Sequence, residues 1–233
     1  HIKDLEQSDI IYISKDVSTD NKGNSDLSDI QRIIRKITSF KKKSILVILS
    51  QVPPSFTRKI IWPSNKLYYQ VETLVFGNAI QRALKPERTI IGCSNSTDKI
   101  NIKLKKYLNL FKCPIFKMKY ESAELAKVSI NMYLISTITT TNVLAEISKR
   151  NSANWQEITS ALKSDKRIGK YAYLNPGLGI AGGNLERDLK TITKISKSQK
   201  IDSKLFELWK NKSGYFRDWT LKVFKDVSKN KKK

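Results

Sequence analysis

Three polar residues share one face of a predicted helix in the middle of this 233-residue chain. Glu124, Lys127 and Asn131 follow one another at i, i+3 and i+7, a spacing that aligns side chains along one side of a helix. Apolar residues flank Lys127 in an otherwise uncharged run. We therefore interpret its ammonium group as part of a site that attracts negative charge, with a solvated surface lysine as the alternative.

A second candidate region is the glycine-rich segment NPGLGIAGGNLERD at 175–188. Four of the nine glycines of the chain fall within it, so we expect its backbone to pass close to another group without side-chain clash. Asn184 in this segment suits a turn that tolerates a left-handed conformation. Asp188 suits either a catalytic carboxylate or the N-cap of a helix that begins with LKTITKI.

Composition restricts the classes of ligand. The formal net charge of +23 predicts attraction to polyanions, namely nucleic acid, an anionic membrane surface or phosphorylated small molecules. Nucleic acid is disfavoured, because the chain has no Arg-rich block and no base-stacking aromatic repeat. Cys93 and Cys113 lack metal-ligand spacing and His1 is the single histidine, so no metal site is expected.

The apolar runs are too short to span a bilayer, and we expect a soluble, cytoplasmic protein without membrane contact. Buried-type strands alternate with helical periods in the first half, which predicts parallel βαβ units; the strand sequences are DIIYIS, SILVILS, RTIIGCS and CPIFKM. One predicted helix, capped by Asp26, carries isoleucines at 30, 33, 34 and 37, and the other carries apolar residues from Ile100 to Phe111.

Beyond Tyr120 the strand signal mostly stops, and a long run without Gly or Pro, ESAELAKVSINMYLISTITTTNVLAEISKR, predicts one long buried helix. ANWQEITSALKSD predicts a second helix, the glycine-rich segment a loop, and the apolar spacing near the end another helix. We expect an α/β domain at 1–119 and a helical domain at 120–233 that includes the basic tail.

Several separated segments resemble the UDP-glucose/GDP-mannose dehydrogenase family, in the family's own order. They are DIIYIS, ILVILSQVPPSFT, VETLVFGNAIQRALKPERTIIG, SAELAKVSINMYLISTITTTN, DKRIG and NPGLGIAGGNLERD. The resemblance extends to about Ile195. It implies the second half of a Rossmann-like, NAD-binding parallel sheet, followed by an all-helical central domain whose long helix forms a homodimer.

The resemblance also implies a function, the oxidation of a nucleotide sugar to its uronic acid with NAD. In the catalytic site, Glu72 would serve as acid/base, Lys127 would stabilise an oxyanion, Asn131 would orient water or a hydroxyl group, and Asp188 would support proton transfer. The substrate-binding positions would be Arg167, Tyr173, Asn175, Gly177, Gly179, Gly182 and Arg187, and the cofactor-binding positions Ser50 and Gln51.

One departure from the family pattern bears on the chemistry. Asn184 stands where the family has a cysteine nucleophile, and an amide cannot trap an aldehyde as a thiohemiacetal. Three hypotheses follow: a dehydrogenase homologue with lost or altered 6-dehydrogenase chemistry, an inactive nucleotide-sugar-binding or dimeric assembly protein, and, last, a basic nucleic-acid binder. The first includes a single-step alcohol oxidation that needs no thiol.

Overall fold

The computed structural model describes residues 2–18, 20, 25–39, 43–72, 74, 77–180, 183–219, 221, 224–225 and 228. The chain divides into two compact units, His1–Ser129 and Ile130–Lys233. The division falls inside a single long helix, so the covalent connection between the units is itself helical.

The first unit is built on a five-stranded sheet in the order β1-β2-β3-β4-β5. The strands are β1 (Ile10–Ile13), β2 (Ile45–Ile48), β3 (Leu67–Gln70), β4 (Thr89–Cys93) and β5 (Ile115–Lys119). β1 pairs with β2, β2 with β3, and β4 with β5 in parallel, as the predicted βαβ pattern requires. The four strand sequences named above are confirmed.

Two features of the sheet differ from the sequence prediction. Strand β3 was not predicted, because LYYQ is short and buries its first three residues without a polar alternation. β4 then runs antiparallel to β3. The helix of this connection, α2 (Ala79–Leu84), has six residues and is about 9 Å long, which is too short to return the chain along a strand of about 16 Å.

The helices of the first unit pack as their apolar periods predict. Helix α1 (Ser28–Thr38) buries Ile30, Ile34 and Ile37, and the carboxylate of Asp26 accepts a hydrogen bond from the backbone N–H of Ser28 at 2.9 Å. Helix α3 (Ile102–Asn109) buries Leu104 and Leu108 in a cluster with sheet residues; these are Ile45, Val47, Tyr68, Ile91 and Cys93.

The described residues of the second unit contain helices and no strand, which confirms the prediction of a helical second region. The helices are α4 (Tyr120–Arg150), α5 (Trp155–Ser164), α6 (Gly183–Ser198) and α7 (Lys204–Arg217). Helix α4, with 31 residues, begins in the first unit and matches the predicted long helix. Helix α6 begins at Gly183, so the last part of the predicted glycine-rich loop is helical instead.

Candidate functional site

A buried pair of side chains joins helices α4 and α6 in the second unit. The Nδ2 of Asn131 donates a hydrogen bond to Oδ2 of Asp188 at 2.5 Å. Asn131 is 5% exposed and Asp188 is 2% exposed, so this contact is shielded from water. Asp188 lies in the second turn of α6, and its predicted role as an N-cap is therefore wrong.

Arg187 connects this pair to Asn184. Its guanidinium is buried, with Nε 3.9 Å from Oδ1 of Asp188, and its Nη2 donates to Oδ1 of Asn184 at 2.9 Å. Asn184 is exposed and belongs to the first turn of α6, so the left-handed turn expected for it is wrong. The four residues form a polar cluster in which one cation faces one carboxylate.

The remaining polar residues of the predicted helix face belong to the first unit. Lys127 is half-buried and lies one turn before Asn131 on α4. Glu124 is fully buried and accepts hydrogen bonds from the backbone N–H groups of Ser55 at 2.6 Å and Thr57 at 2.8 Å. Burial raises the pKa of the Glu124 carboxyl, and the hydrogen bonds from Thr57 and Ser55 oppose that rise.

The segment 173–180, which contains the first half of the glycine-rich stretch, is tied to α4 by neutral side chains. Oγ1 of Thr141 donates to the carbonyl oxygen of Tyr173 at 2.8 Å. Oδ1 of Asn142 accepts from the N–H of Gly177, also at 2.8 Å. Thr141 and Asn142 are both 2% exposed, so the helix side of each bond is buried.

Helices α5 and α7 tie the same segment at two further points. Nε1 of Trp155 donates to the carbonyl of Leu174 at 2.9 Å, and the N–H of Ile180 donates to Oγ of Ser213 at 2.9 Å. These tethers were not predicted. The signal available for two of them was the polar run STITTTN inside an apolar helix, because buried polar residues there require hydrogen-bond partners.

In the described part of the glycine-rich segment, Gly179 is a position at which a side chain would clash. Its φ is +89°, and an added Cβ would lie 2.8 Å from the carbonyl oxygen of Ser213. A Cβ at Gly177 would meet nothing within 4 Å. The close approach expected for this segment is therefore one to helix α7 at Ser213. Gly182, a predicted substrate-binding residue, lies outside the described residues.

The other predicted substrate-binding residues of the second unit lie at its surface. Arg167 forms a two-pronged ion pair with Asp165, with N···O distances of 3.0 and 2.6 Å, and this holds the pKa of the Asp165 carboxyl below its usual range. Tyr173 is 43% exposed, and Asn175 is exposed. These side chains are accessible to a ligand.

The predicted residues of the first unit follow the parallel strands. The hydroxyl of Ser50, which is buried after β2, donates to the carbonyl of Lys15 at 2.6 Å. Gln51 beside it is half-buried. Glu72 is half-buried after β3 and accepts from the N–H of Leu74. The carboxyl edge of parallel strands suits a dinucleotide. The Ser50 hydroxyl, however, already donates its hydrogen bond to the backbone of the same unit.

Two other kinds of feature are absent from the described residues. No group of three or more His, Cys, Asp or Glu is arranged there to hold a metal ion. None of the described helices is long and apolar enough to cross a membrane.

Comparisons with known proteins cover nearly the whole chain. Residues 1–111 match the NAD binding domain of the UDP-glucose/GDP-mannose dehydrogenase family, and residues 121–212 match the central domain of the same family. The UDP-glucose 6-dehydrogenase of Rickettsia bellii is 29% identical over 214 residues, which are 88% of this chain and 49% of that protein. TuaD, the UDP-glucose 6-dehydrogenase of Bacillus subtilis, is 27% identical over 213 residues, 87% of this chain and 46% of its own length.

Solved structures share the fold. The UDP-D-ManNAc dehydrogenase of Pyrococcus horikoshii matches 99% of this chain and 56% of its own, with a TM-score of 0.81 at 20% identity. The UDP-glucose dehydrogenase of the archaeon Pyrobaculum islandicum matches 92% of this chain and 52% of its own, with a TM-score of 0.78 at 22% identity. The chain thus spans about half the length of the relatives it matches. By its two matched domains, the chain belongs to the UDP-glucose/GDP-mannose dehydrogenase family.

Proposed function

We propose that this chain provides catalytic residues of a cytoplasmic nucleotide-sugar dehydrogenase, which oxidises a CH–OH group of a UDP- or GDP-sugar. The observation that carries the proposal is the buried Asn131–Asp188 pair, joined to Arg187 and Asn184 at the start of α6. We assign residues 1–119 to the cofactor-binding domain and 120–233 to the central domain. The two family matches support this assignment.

Each polar residue of the helix face has a role in this proposal. The Asp188 carboxylate holds the Asn131 amide, so its carbonyl oxygen remains available to orient a substrate hydroxyl or a water molecule. Lys127, one turn earlier on α4, stabilises the alkoxide that forms as the hydroxyl loses its proton. Glu72 acts as acid/base. The sugar and phosphate groups contact residues of the second unit, namely Arg167, Tyr173, Asn175, Gly177, Gly179, Gly182 and Arg187.

NAD, when bound, supplies the hydride acceptor. We assign NAD to the carboxyl edge of β1, β2 and β3, near Gln51. The backbone around Ser50, rather than its hydroxyl, would contact the cofactor, because that hydroxyl already donates to Lys15. This edge suits NAD because β1, β2 and β3 run parallel, and dinucleotides bind at the carboxyl ends of parallel strands.

Asn184 limits the reaction to one oxidation. A primary alcohol that loses a proton and a hydride becomes an aldehyde, and the hydride reduces one NAD to NADH. The second oxidation in the family proceeds through a thiol adduct, which the amide of Asn184 cannot form. We therefore propose an aldehyde product, with one NADH formed per sugar.

The whole protein that contains this chain would test the proposal, with NAD and a panel of UDP- and GDP-sugars. We expect one NADH per sugar consumed and an aldehyde that hydroxylamine traps. Uronic acid with two NADH per sugar would contradict the role given to Asn184. An Asn131→Leu variant should abolish NADH formation, and a Tyr171→Phe variant, changed at an exposed tyrosine, should keep it.

A second candidate is an inactive nucleotide-sugar-binding protein that assembles as a homodimer. The observation that favours it is an apolar stripe on α4, where Tyr133, Leu144 and Ile147 are 78%, 41% and 49% exposed at spacings that repeat one helix face. Light scattering after size exclusion should give a dimer that Tyr133→Asp converts to a monomer. A dimer that binds UDP-sugars but yields no NADH with any of them would favour this candidate over the enzyme.

A further inference from the structure

A groove in the first unit is lined by none of the residues assigned above. It runs between helix α1 and the segment 53–61, and its cavity volume is about 390 Å³. That volume falls within the range of small-molecule sites. The floor is apolar, with Ile34 and Phe56 among its residues, and Ile61 at the rim is 78% exposed.

The wall formed by the segment 53–61 is fixed in place. Glu124 holds the backbone of Ser55 and Thr57, and Arg58 forms a two-pronged ion pair with Glu121 at 2.8 and 2.9 Å. The indole N–H of Trp62, directly after the segment, donates to the carbonyl of Ser44 at 3.2 Å. A ligand would therefore meet a preformed wall and would lose little affinity to ordering it.

The polar lining of the groove is cationic. Arg35 from α1 and Lys59 from the segment both line it, and no Asp or Glu is among the described residues that do so. Among the described residues, neither side chain has a hydrogen bond or an ion pair. Other exposed arginines of the unit, Arg32 and Arg58, pair with Asp29 and Glu121. Arg35 and Lys59 are thus two cations without an acidic partner in the described part of the chain, and both border an apolar lining.

We propose that this groove binds a small amphipathic anion, an aliphatic or aromatic group that carries one phosphate or carboxylate. The apolar part would cover Ile34, Phe56 and Ile61, and the anionic group would lie between Arg35 and Lys59. Gln31, one turn before Arg35 on the same helix, adds an amide donor. The apolar lining favours the apolar part of such a ligand, and the two cations favour its anionic group.

Octyl phosphate, kept below its critical micelle concentration, is the probe. Amide chemical shifts of the ¹⁵N-labelled chain should change saturably at α1 and at 53–61. Inorganic phosphate and octanol should each bind at least about tenfold more weakly, because each supplies only half of the contacts. Octanoate should compete with the probe, and its failure to do so would restrict the site to phosphates and contradict the carboxylate part of the proposal.

Charge variants test the assignment of the anionic group. The double variant Arg35→Gln/Lys59→Gln should weaken octyl phosphate at least about tenfold. The matched double variant Lys36→Gln/Lys106→Gln, which removes the same charge outside the groove, should bind normally. Equal weakening in both doubles would show general attraction by a cationic surface and would overturn the proposal.

A single change keeps the proposal falsifiable if the double variant folds poorly. Gln31→Glu places a carboxylate in the groove without removing apolar surface, and it should also weaken the probe about tenfold by charge repulsion. Unchanged binding to folded Gln31→Glu, or shift changes centred on another surface, would contradict the site. A second copy of the chain as the occupant would appear as concentration-dependent shifts at these amides without the probe, which also contradicts it.

Discussion

Side chains of helix α4 form hydrogen bonds to the backbone of an irregular segment in each unit, but those side chains are charged in one unit and neutral in the other. In the first unit, the carboxylate of Glu124 accepts from the backbone of Ser55 and Thr57. In the second unit, the neutral side chains of Thr141 and Asn142 bind the backbone of Tyr173 and Gly177. The contrast separates a tether whose strength depends on ionisation from one that does not.

The charged tether carries a cost that the neutral tether avoids. A fully buried carboxylate is desolvated, which raises the pKa of Glu124 even though two N–H groups point at it. The same carboxylate also stabilises a backbone conformation that is rare for serine, since φ of Ser55 is +70°. We infer that the first unit accepts the desolvation of Glu124 in order to fix this turn.

The largest expected effect comes from removing the charged tether. Glu124→Ala leaves the buried N–H of Thr57 and the partly buried N–H of Ser55 without their acceptor, and should lower the free energy of unfolding by about 3 kcal/mol. Urea denaturation followed by circular dichroism measures this value. Glu121→Ala, which removes a partly exposed carboxylate from the same helix, should lower it by less than about 1 kcal/mol. Equal losses in the two variants would contradict the distinction between them.

Next in size is a change at the close approach between the glycine-rich segment and α7. Gly179→Ala combines a positive φ with a Cβ 2.8 Å from the Ser213 carbonyl, and should lower the free energy of unfolding by about 2 kcal/mol. Gly177→Ala is the matched control in the same segment. Its added Cβ has open space, so an equal loss there would show that the Ser213 contact is not the cause.

Removing one neutral tether should have a smaller effect. Asn142→Ala deletes the acceptor for the Gly177 N–H, and we expect a loss of about 1 kcal/mol, the usual net value of one neutral hydrogen bond. Hydrogen exchange measured by NMR should show faster exchange of the Gly177 amide. Unchanged protection of that amide would contradict the tether, and the exchange of Ser55 should stay as in the parent chain.

The smallest expected effect is the dependence of the two tethers on pH. Because the pKa of folded Glu124 is raised, the protonated carboxyl favours the folded state, and this contribution is fully present below the ordinary carboxyl pKa and is lost as pH rises through the folded pKa. The stability of the parent chain relative to Glu124→Gln should therefore fall as pH rises above the ordinary carboxyl range. The difference between the parent chain and Asn142→Ala should stay constant, and a flat Glu124→Gln comparison would contradict the raised pKa.

Local patterns predicted the regular elements well. The isoleucine period of α1 and the Leu104/Leu108 period of α3 identify the buried faces, because those residues have few other ways to leave water. The long apolar run predicts α4 despite its threonines. The start of α6 at Gly183 was not predicted, since glycines at 182 and 183 resemble a loop more than a helix terminus.

For the candidate site, sequence predicted residue types and structure decided their partners. Asn131 and Asp188 were both predicted site residues, and the structure brings them into contact. The sequence did not indicate that Glu124, on the same predicted face, serves the backbone of Ser55 instead. The spacing i, i+3, i+7 aligns side chains on a helix but does not specify what packs against each turn.

The sequence by itself determined the alternation of strands and helices and the buried faces, because these depend on local spacing and residue type, and its separated segments indicated the family. Only the tertiary structure decided the reversal of β4, the turn fixed by Glu124, the approach of Gly179 to Ser213 and the cationic groove beside α1. Each of these joins residues far apart in the chain, where side-chain geometry and desolvation, rather than local propensity, select the contact.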